Sequence, residues 1–290
     1  MQHIHWILEE DIFSEGHLPH MVEAIKSMGG TYTMVKYIPF HTGAFVRSGD
    51  LEDHLHQVHV QEKGESTILY GSINLLKKAE KYTSFYPGAG VTWKHYNCAF
   101  YYPEIYPYGF NRYANWYPLD FAVKDADRIF PVSMFVRPDT PTKEFNGGSY
   151  TRDEFIEATK DLVVQKPSMP VVVAPCQHSW LWANNTLQYR LFYVDGKFVT
   201  GSRSHVKDIR DTSPEVPKEV IKFADTVLER TDFYPDPVFV MDIVGMDDNF
   251  WGSFSVMEIG PWACAGLYEC DINKLVEAVH NFYKDFEWWL

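Results

Sequence analysis

The sequence has few cysteines and lacks the segments that direct a chain into or across a membrane. Four cysteines are spread over 290 residues without a CxxC pair, so we expect free thiols in a reducing cytosol rather than a disulfide framework. The N-terminus has no basic segment followed by an apolar core, unlike a signal peptide. No apolar run reaches the roughly 20 residues that a transmembrane helix needs. We therefore expect a cytoplasmic protein without a membrane partner.

Positive charge is also scarce, because 26 Lys and Arg face 39 Asp and Glu, which gives a net charge of −13. This balance argues against broad nucleic-acid binding but leaves room for a local basic pocket that holds a nucleotide. The chain contains no GxSxG, HExxH, Walker or GxGxxG motif, which argues against the enzyme classes that these motifs define. Hydrophobic residues make up 46% of the chain, as in an ordinary globular protein.

The N-terminal part alternates between strand and helix patterns. The expected elements are strand 3–12, helix 17–28, strand 31–38, strand 66–70 and helix 74–82. This order predicts an α/β lobe with a parallel sheet. We assign this lobe to residues 1–128.

The remaining residues, 129–290, show an α+β pattern. The expected elements are strand 130–136, a helix that Thr151 caps and that runs to about 163, strand 171–175, hairpin strands 187–194 and 197–204, helix 214–230, two apolar strands, and a last helix after Asp271. The capping residues and the Asp195-Gly196 turn are the strongest local signals in this part.

Aromatic residues make up 16% of the chain and concentrate in residues 96–121. We interpret this proline-punctuated segment as a core layer between the lobes. A platform for stacking bases is less consistent with so acidic a chain. A dimer interface is an alternative that the sequence leaves open.

Two apolar strands near the C-terminus each carry one carboxylate. Asp242 lies in VFVMDIVG and Glu258 in FSVMEIG. Burying a carboxylate costs several kcal/mol unless a cation or hydrogen-bond donors compensate it. Two adjacent carboxylates suit Mg²⁺, which is often held by one or two carboxylates together with substrate phosphates. The alternative, equally supported by these two residues, is that each carboxylate forms a buried pair with a Lys or Arg.

The hairpin around Asp195-Gly196 predicts a second cluster. With a two-residue loop, Gln188 lies opposite Arg203. In the same register, Arg190 lies opposite Gly201. Because side chains alternate along a strand, Gln188, Arg190 and Arg203 would share one face and form an anion clamp. A solvated polar rim is the alternative.

A loop that follows the strand 130–136 supplies further positive charge. Arg137 ends the strand, Lys143 lies in the loop, and Gly147-Gly148 gives backbone freedom nearby. An Arg and a Lys that converge on one loop are typical of phosphate binding.

These segments together resemble an ATP-grasp enzyme. The matching segments are 135–148, 187–204, 238–245 and 256–271. The likeness is greatest to the divergent clade named for its signature Arg and Lys residues, which is common in phage and bacterial genomes and includes the eukaryotic cell-division-cycle translation-initiation regulator. The resemblance implies an ATP-grasp fold with a small N-terminal α/β pre-domain, and the host cytoplasm as the location if the gene belongs to a phage.

The resemblance also implies roles for individual residues. ATP would bind between two subdomains, with Arg137 and Lys143 on its phosphates. The strand that contains Val172, Val173 and Ala174 would lie beside the adenine, and Gln188 would also contact the nucleotide. Arg190 and Arg203 would face the γ-phosphate or the activated carboxylate as catalytic residues. Asp242 and Glu258 would hold Mg²⁺.

The implied reaction joins a carboxylate and an amine at the expense of ATP. The substrates, which can be small molecules, peptides or proteins, are not specified by the sequence.

Two departures favour an alternative, an ATP-binding assembly factor or chaperone without ligase turnover. Gly260 stands where the family usually has an Asn, and Gln188 where it often has a Glu. The nearby Asp247, Asp248 and Asn249 are candidate substitutes for the missing Asn.

Overall fold

The computed structural model describes residues 3–12, 16–38, 44–50, 65–81, 85, 87–176, 186–206, 209–246 and 254–285. Asp247, Asp248 and Asn249 lie outside these ranges. Three sheets organise the described residues. No helix among these residues is long and apolar enough to cross a membrane.

The first sheet belongs to the N-terminal lobe and has the strand order β3-β2-β1-β4-β5. Its elements are β1 (His3–Glu9), α1 (Leu18–Ser27), β2 (Thr31–Ile38), β3 (Ala44–Arg47), β4 (Glu65–Tyr70), α2 (Ile73–Ala79) and β5 (Pro87–Gly88). The central β1 pairs in parallel with β2 and β4, which confirms the predicted parallel sheet. The first strand ends earlier than predicted, and Asp11, just beyond it, has a left-handed backbone with φ 60°.

The second sheet has the order β6-β9-β7-β8. The elements of this region are α3 (Cys98–Glu104), β6 (Asn115–Pro118), α4 (Leu119–Lys124), α5 (Ala126–Ile129), β7 (Met134–Pro138), β8 (Gly148–Tyr150), α6 (Arg152–Gln165) and β9 (Pro170–Pro175). Strand β6 pairs with β9, so this sheet already begins before residue 128. The division of the chain at 128/129 stays a prediction.

The third sheet is antiparallel, with the order β12-β11-β10-β13-β14. Its elements are β10 (Thr186–Val194), β11 (Lys197–Val206), β12 (Ile209–Ser213), α7 (Lys218–Thr231), β13 (Val238–Met246), β14 (Ser255–Pro261) and α8 (Ile272–Asp285). Phe192 from this sheet and Leu275 from α8 share a hydrophobic core with Trp6 of the first sheet. The N-terminal lobe and the third sheet are therefore joined by packed apolar side chains.

The predicted register of the β10–β11 hairpin is wrong beyond its turn. Two irregularities, one between Phe192 and Tyr193 and one between Gln188 and Tyr189, shift the pairing. Arg203 consequently pairs with Tyr189 instead of Gln188. An extra residue in one strand of a pair reverses which face later side chains occupy. Arg203 therefore does not share a face with Arg190 as predicted.

Part of the aromatic segment 96–121 packs in the hydrophobic core. Tyr96, Tyr101 and Tyr102 are buried in one hydrophobic cluster with Val256 and Ile259 of β14. This confirms the predicted core role for the buried rings. Exposed rings of the same segment are those of Phe100, Tyr106, Tyr113, Trp116 and Phe121.

Helix α6 begins with the predicted capping box. The Thr151 hydroxyl accepts a hydrogen bond from the Glu154 backbone, and the Glu154 carboxylate accepts one from the Thr151 backbone. We expect Thr151→Ala to lower the free energy of unfolding by about 1 kcal/mol. Urea denaturation measures the change. Thr226→Ala within α7, whose hydroxyl bonds only back to the Lys222 carbonyl, is the control and should change stability by less than about 0.5 kcal/mol.

Candidate functional site

A cavity of about 600 Å³ lies between the second and third sheets. Its size lies within the usual range for small-molecule sites, roughly 300–1,000 Å³. The residues that line it are Phe110, Asn111, Phe135, Arg137, Pro138, Thr140, Lys143, Phe145, Asn146, Gly147, Gly148, Ser149, Cys176, Gln188, Met257 and Glu258. Apolar side chains surround a small set of charged and amide groups, which is the usual composition of a site that fixes a ligand's orientation.

Arg137 and Glu258 form an ion pair across the junction of the two sheets. Arg137 lies near the end of β7, and its Nη2 donates to Oε1 of Glu258 on β14 at 2.8 Å. The Arg137 side chain is only 9% exposed. Burial alone would raise the pKa of Glu258, but the charges of Arg137, Lys143 and Arg190 outweigh it and lower that pKa to about 2. Glu258 is therefore an anion at neutral pH.

Lys143 adds a second positive charge to the cavity. It lies in the loop between β7 and β8, and its backbone adopts the left-handed conformation with φ 51°. Such strain in a residue other than glycine is concentrated at binding sites. Gly147 in the same loop has little room for a side chain, since a Cβ there would lie 3.0 Å from Cβ of Arg137. The loop is thus held close to the arginine.

Asp242 and Glu258 are directly paired neighbours on β13 and β14, which confirms that the carboxylates lie side by side. Arg190 on β10 binds both oxygens of Asp242, through Nε at 2.8 Å and Nη2 at 2.7 Å. The guanidinium also lies 5.0 Å from the Tyr268 ring. Burial would lower the pKa of Arg190, but Asp242 raises it. Each carboxylate therefore has a buried arginine partner, the second of the two arrangements that the sequence allowed.

The structure brings together only part of the predicted site. Four of the predicted residues line the cavity: Arg137, Lys143, Gln188 and Glu258. Asp242 is the strand neighbour of Glu258, and Arg190 is the strand neighbour of Asp242. Arg203 instead forms a partly exposed ion pair with Asp211 at 2.7 Å.

Strand β9 does not line the cavity with its central residues. Val172, Val173 and Ala174 are buried in hydrophobic core, and their strand reaches the cavity at Cys176, just beyond its end. Their predicted position beside the adenine stays a prediction, because residues 177–185 are outside the described ranges.

Sequence reasoning did not identify Asn111 as a site residue. Asn111 lies within the aromatic segment and lines the cavity although it is only 4% exposed. Its Oδ1 is buried and has no hydrogen-bond partner. A buried amide oxygen without a partner is unusual in folded proteins. Asn111 is one of three asparagines in the segment 96–121, and the sequence has no signal that distinguishes it from the other two.

The donor set is compatible with Mg²⁺ when a nucleotide supplies further oxygens. Among the described residues, no three His, Cys, Asp or Glu side chains are grouped to hold a metal ion. Glu258 and the unpartnered Oδ1 of Asn111 nevertheless offer oxygen ligands in the cavity, and Asp242 is the strand neighbour of Glu258. Mg²⁺ prefers oxygen ligands and commonly takes the remainder from phosphates and water.

We expect Mg²⁺ alone to bind too weakly to detect. Arg137 and Arg190 already neutralise the two carboxylates, so a free cation must compete with buried guanidiniums. Titration calorimetry with MgCl₂ should show no saturable heat in the absence of nucleotide. Saturable binding in the micromolar range would contradict the role of the arginines as competitors.

The chain matches a family model and several solved structures. Residues 117–279 match the model of an ATP-grasp domain, family 3 of the clade named for its signature Arg and Lys residues. No curated protein matches the sequence. The similar structures include a D-cycloserine synthetase (13% identity, TM-score 0.60, covering 97% of this chain and 99% of that one). They also include D-alanine-D-alanine ligase from Helicobacter pylori (10% identity, TM-score 0.59, 99% of each chain).

A third similar structure is a macrocyclase from Microcystis aeruginosa MRC bound with its precursor peptide (11% identity, TM-score 0.53, 98% of this chain and 100% of that one). At these identities the likeness shows the fold, which is that of ATP-grasp proteins. The family match spans more than half of the sequence and includes Arg137, Arg190, Asp242 and Glu258. The chain therefore belongs to the ATP-grasp domain family, in family 3 of the Arg/Lys-signature clade.

Proposed function

We propose that the protein is an ATP- and Mg²⁺-dependent carboxylate–amine ligase that forms an amide through an acyl phosphate. One observation carries the proposal: Arg137, Lys143 and Glu258 converge on a cavity between two sheets in a protein of ATP-grasp fold. ATP with Mg²⁺ would use both sets of groups, because the cationic side chains would bind phosphate oxygens and the carboxylates would bind the metal ion. The similar structures, which include a D-alanine-D-alanine ligase, support the same reaction class.

The nucleotide is proposed to occupy the cavity with its phosphates toward Arg137 and Lys143. Guanidinium and ammonium groups bind phosphate oxygens through charge-assisted hydrogen bonds. Phe135, Phe145 and Met257 provide apolar lining, which suits a purine ring. Asp242 and Glu258 would hold Mg²⁺, which would supply positive charge that neutralises the phosphates during phosphoryl transfer.

The chemistry proceeds in two steps. An oxygen of the substrate carboxylate attacks the γ-phosphorus, and ADP leaves with the electrons of the broken P–O bond. The amine then attacks the acyl carbon, phosphate leaves, and the nitrogen loses a proton to give the amide. Arg190 is proposed to stabilise the charge on the acyl phosphate, since its bonds fix it on Asp242, the strand neighbour of Glu258. Arg203 has no part in this proposal, because it lies on the other face of the hairpin and is paired with Asp211.

An ATP-binding protein without ligase turnover is the second candidate. Both carboxylates are ion-paired, and Gly260 and Gln188 replace residues that the ligases usually carry. Such a protein would hold ATP as an assembly factor or chaperone.

Turnover separates the two candidates. We expect the protein with Mg²⁺ and ATP to release ADP when hydroxylamine and a suitable carboxylate are present, because hydroxylamine captures an acyl phosphate. The screen uses free amino acids, dicarboxylates and peptides with acidic side chains. ATP binding without ADP release over the whole panel would favour the non-ligase function.

Lys143→Met is expected to weaken ATP binding about 10-fold or more, since it removes a charge-assisted phosphate contact. Calorimetric titration of ATP with Mg²⁺ measures the change. Lys197→Met at the exposed hairpin tip is the control and should bind ATP as the unmodified protein does. Equal ATP affinities for both variants would show that Lys143 does not contact the nucleotide.

A further inference from the structure

We propose that Asn111 is a metal ligand, whose Oδ1 completes the Mg²⁺ site in the nucleotide cavity. The inference rests on the proposed ATP- and Mg²⁺-dependent function. It assigns to the metal a residue from the N-terminal aromatic segment, far in sequence from the two carboxylates.

The first evidence is the unsatisfied oxygen itself. The Asn111 amide is oriented by its Nδ2, which donates to the Tyr102 hydroxyl at 3.3 Å. This leaves Oδ1 buried and without a partner. A buried acceptor without a donor is unfavourable, because it loses its hydrogen bonds to water. A ligand that enters the cavity and offers either a cation or a donor to this oxygen removes that penalty.

The second evidence is the position of Asn111 relative to Glu258. The segment 108–110 runs beside β14, since the Phe110 N–H donates to the Val256 carbonyl and the Val256 N–H donates to the Tyr108 carbonyl, each at 2.8 Å. Gly109 forms a parallel bridge with Val256.

Asn111 directly follows this bonded segment and is therefore held close to β14, the strand that carries Glu258. Both residues line the cavity. Asp242 lies on the opposite side of Glu258, on β13. The three oxygen-bearing side chains thus follow one another across neighbouring segments in the order Asp242, Glu258, Asn111.

The third evidence is the type of ligand that the two cavity residues offer. Glu258 and Asn111 both present oxygen atoms, and carboxylate and amide oxygens are hard ligands of the kind that Mg²⁺ accepts. Gly260, which lacks a side chain, stands where the family resemblance predicts an Asn. Asn111 supplies the same functional group from a different segment.

The test compares nucleotide binding with and without the metal. The non-hydrolysable analogue AMPPNP is titrated by calorimetry into the unmodified protein and Asn111→Leu, in Mg²⁺ and in EDTA. We expect Asn111→Leu to weaken Mg²⁺-dependent binding about 10- to 100-fold, while affinity in EDTA stays within about twofold, since the purely nucleotide contacts persist. Asn111→Asp keeps an oxygen ligand and should retain the Mg²⁺ dependence.

Two further variants separate metal binding from packing. Tyr102→Phe removes the hydrogen bond to Nδ2 but keeps Asn111, and it should retain the Mg²⁺ dependence. Asn273→Ala on the exposed side of α8 controls for loss of an amide elsewhere. Circular dichroism checks that each variant is folded.

The outcomes distinguish this inference from the proposed function. If Asn111→Leu weakens AMPPNP binding equally in Mg²⁺ and EDTA, Asn111 contacts the nucleotide and the metal role is wrong. If Asn111→Leu binds as the unmodified protein does in both conditions, the inference fails while the ATP site stands. If the unmodified protein shows no Mg²⁺-dependent binding, the proposed function fails and the metal role of Asn111 fails with it.

Discussion

Replacing Arg190 by methionine is expected to lower the free energy of unfolding by about 3–5 kcal/mol. Arg190 binds both oxygens of Asp242 and donates to the Gly266 carbonyl. Methionine keeps much of the side-chain volume but removes the cation, which leaves a buried carboxylate without compensation. The cost of an unpaired buried charge exceeds the net stabilisation that the pair itself provides. Urea denaturation followed by fluorescence measures the loss.

Arg203→Met is the matched control on the neighbouring strand. Arg203 pairs with Asp211, whose side chain is 49% exposed, and surface pairs contribute less than about 1 kcal/mol. The double variant Arg190→Met/Asp242→Leu should regain most of the stability lost by Arg190→Met, because it removes the unpaired charge. A loss below about 1 kcal/mol for Arg190→Met would mean that Arg190 is not needed to compensate the buried charge of Asp242.

Acid is expected to remove about 3 kcal/mol of stability through Glu258 alone. Its folded pKa, about 2, lies below the ordinary value of 4.5, because the upward effect of burial is outweighed by the charges of Arg137, Lys143 and Arg190. The unfolded chain therefore takes up the proton first as the pH falls. The contribution is complete above about pH 4.5 and is lost as the pH falls toward 2.

Glu258→Gln isolates this contribution. The variant should be less stable than the unmodified protein at pH 7, and the difference should shrink as the pH falls from about 4.5 toward 2. Glu229→Gln, on the exposed side of α7, should change stability by less than about 0.5 kcal/mol. Urea denaturation at a series of pH values measures both. A Glu258→Gln difference that does not vary with pH would show that the arginine contact does not perturb the carboxylate.

Local patterns in the sequence were sufficient to predict most elements. Thr151 and Glu154 have the composition of a capping box, and the structure contains it. The carboxylates Asp242 and Glu258 were correctly placed side by side because consecutive antiparallel strands usually pair with each other. These features depend on residues close in sequence or on strands that follow one another.

Features that depend on irregular pairing or distant contacts were not predictable in the same way. The shifts near Tyr189 and Tyr193 have no local signal, because a bulge adds one residue without altering the apolar pattern around it. The choice between metal and ion pair for the carboxylates required knowing that β7 brings Arg137 to Glu258. Asn111 reaches the site only because its segment lies against β14.

The Mg²⁺ dependence of ATP binding shows whether the cavity is a nucleotide site. ATP is titrated by calorimetry into the unmodified protein, with and without Mg²⁺, and into Asp242→Asn/Glu258→Gln, whose fold is checked by circular dichroism. We predict saturable binding that is stronger with Mg²⁺ and that loses its Mg²⁺ dependence in the folded double variant. No ATP binding to the unmodified protein, or the same Mg²⁺ dependence in both proteins, would contradict the assignment of this cavity as a nucleotide site.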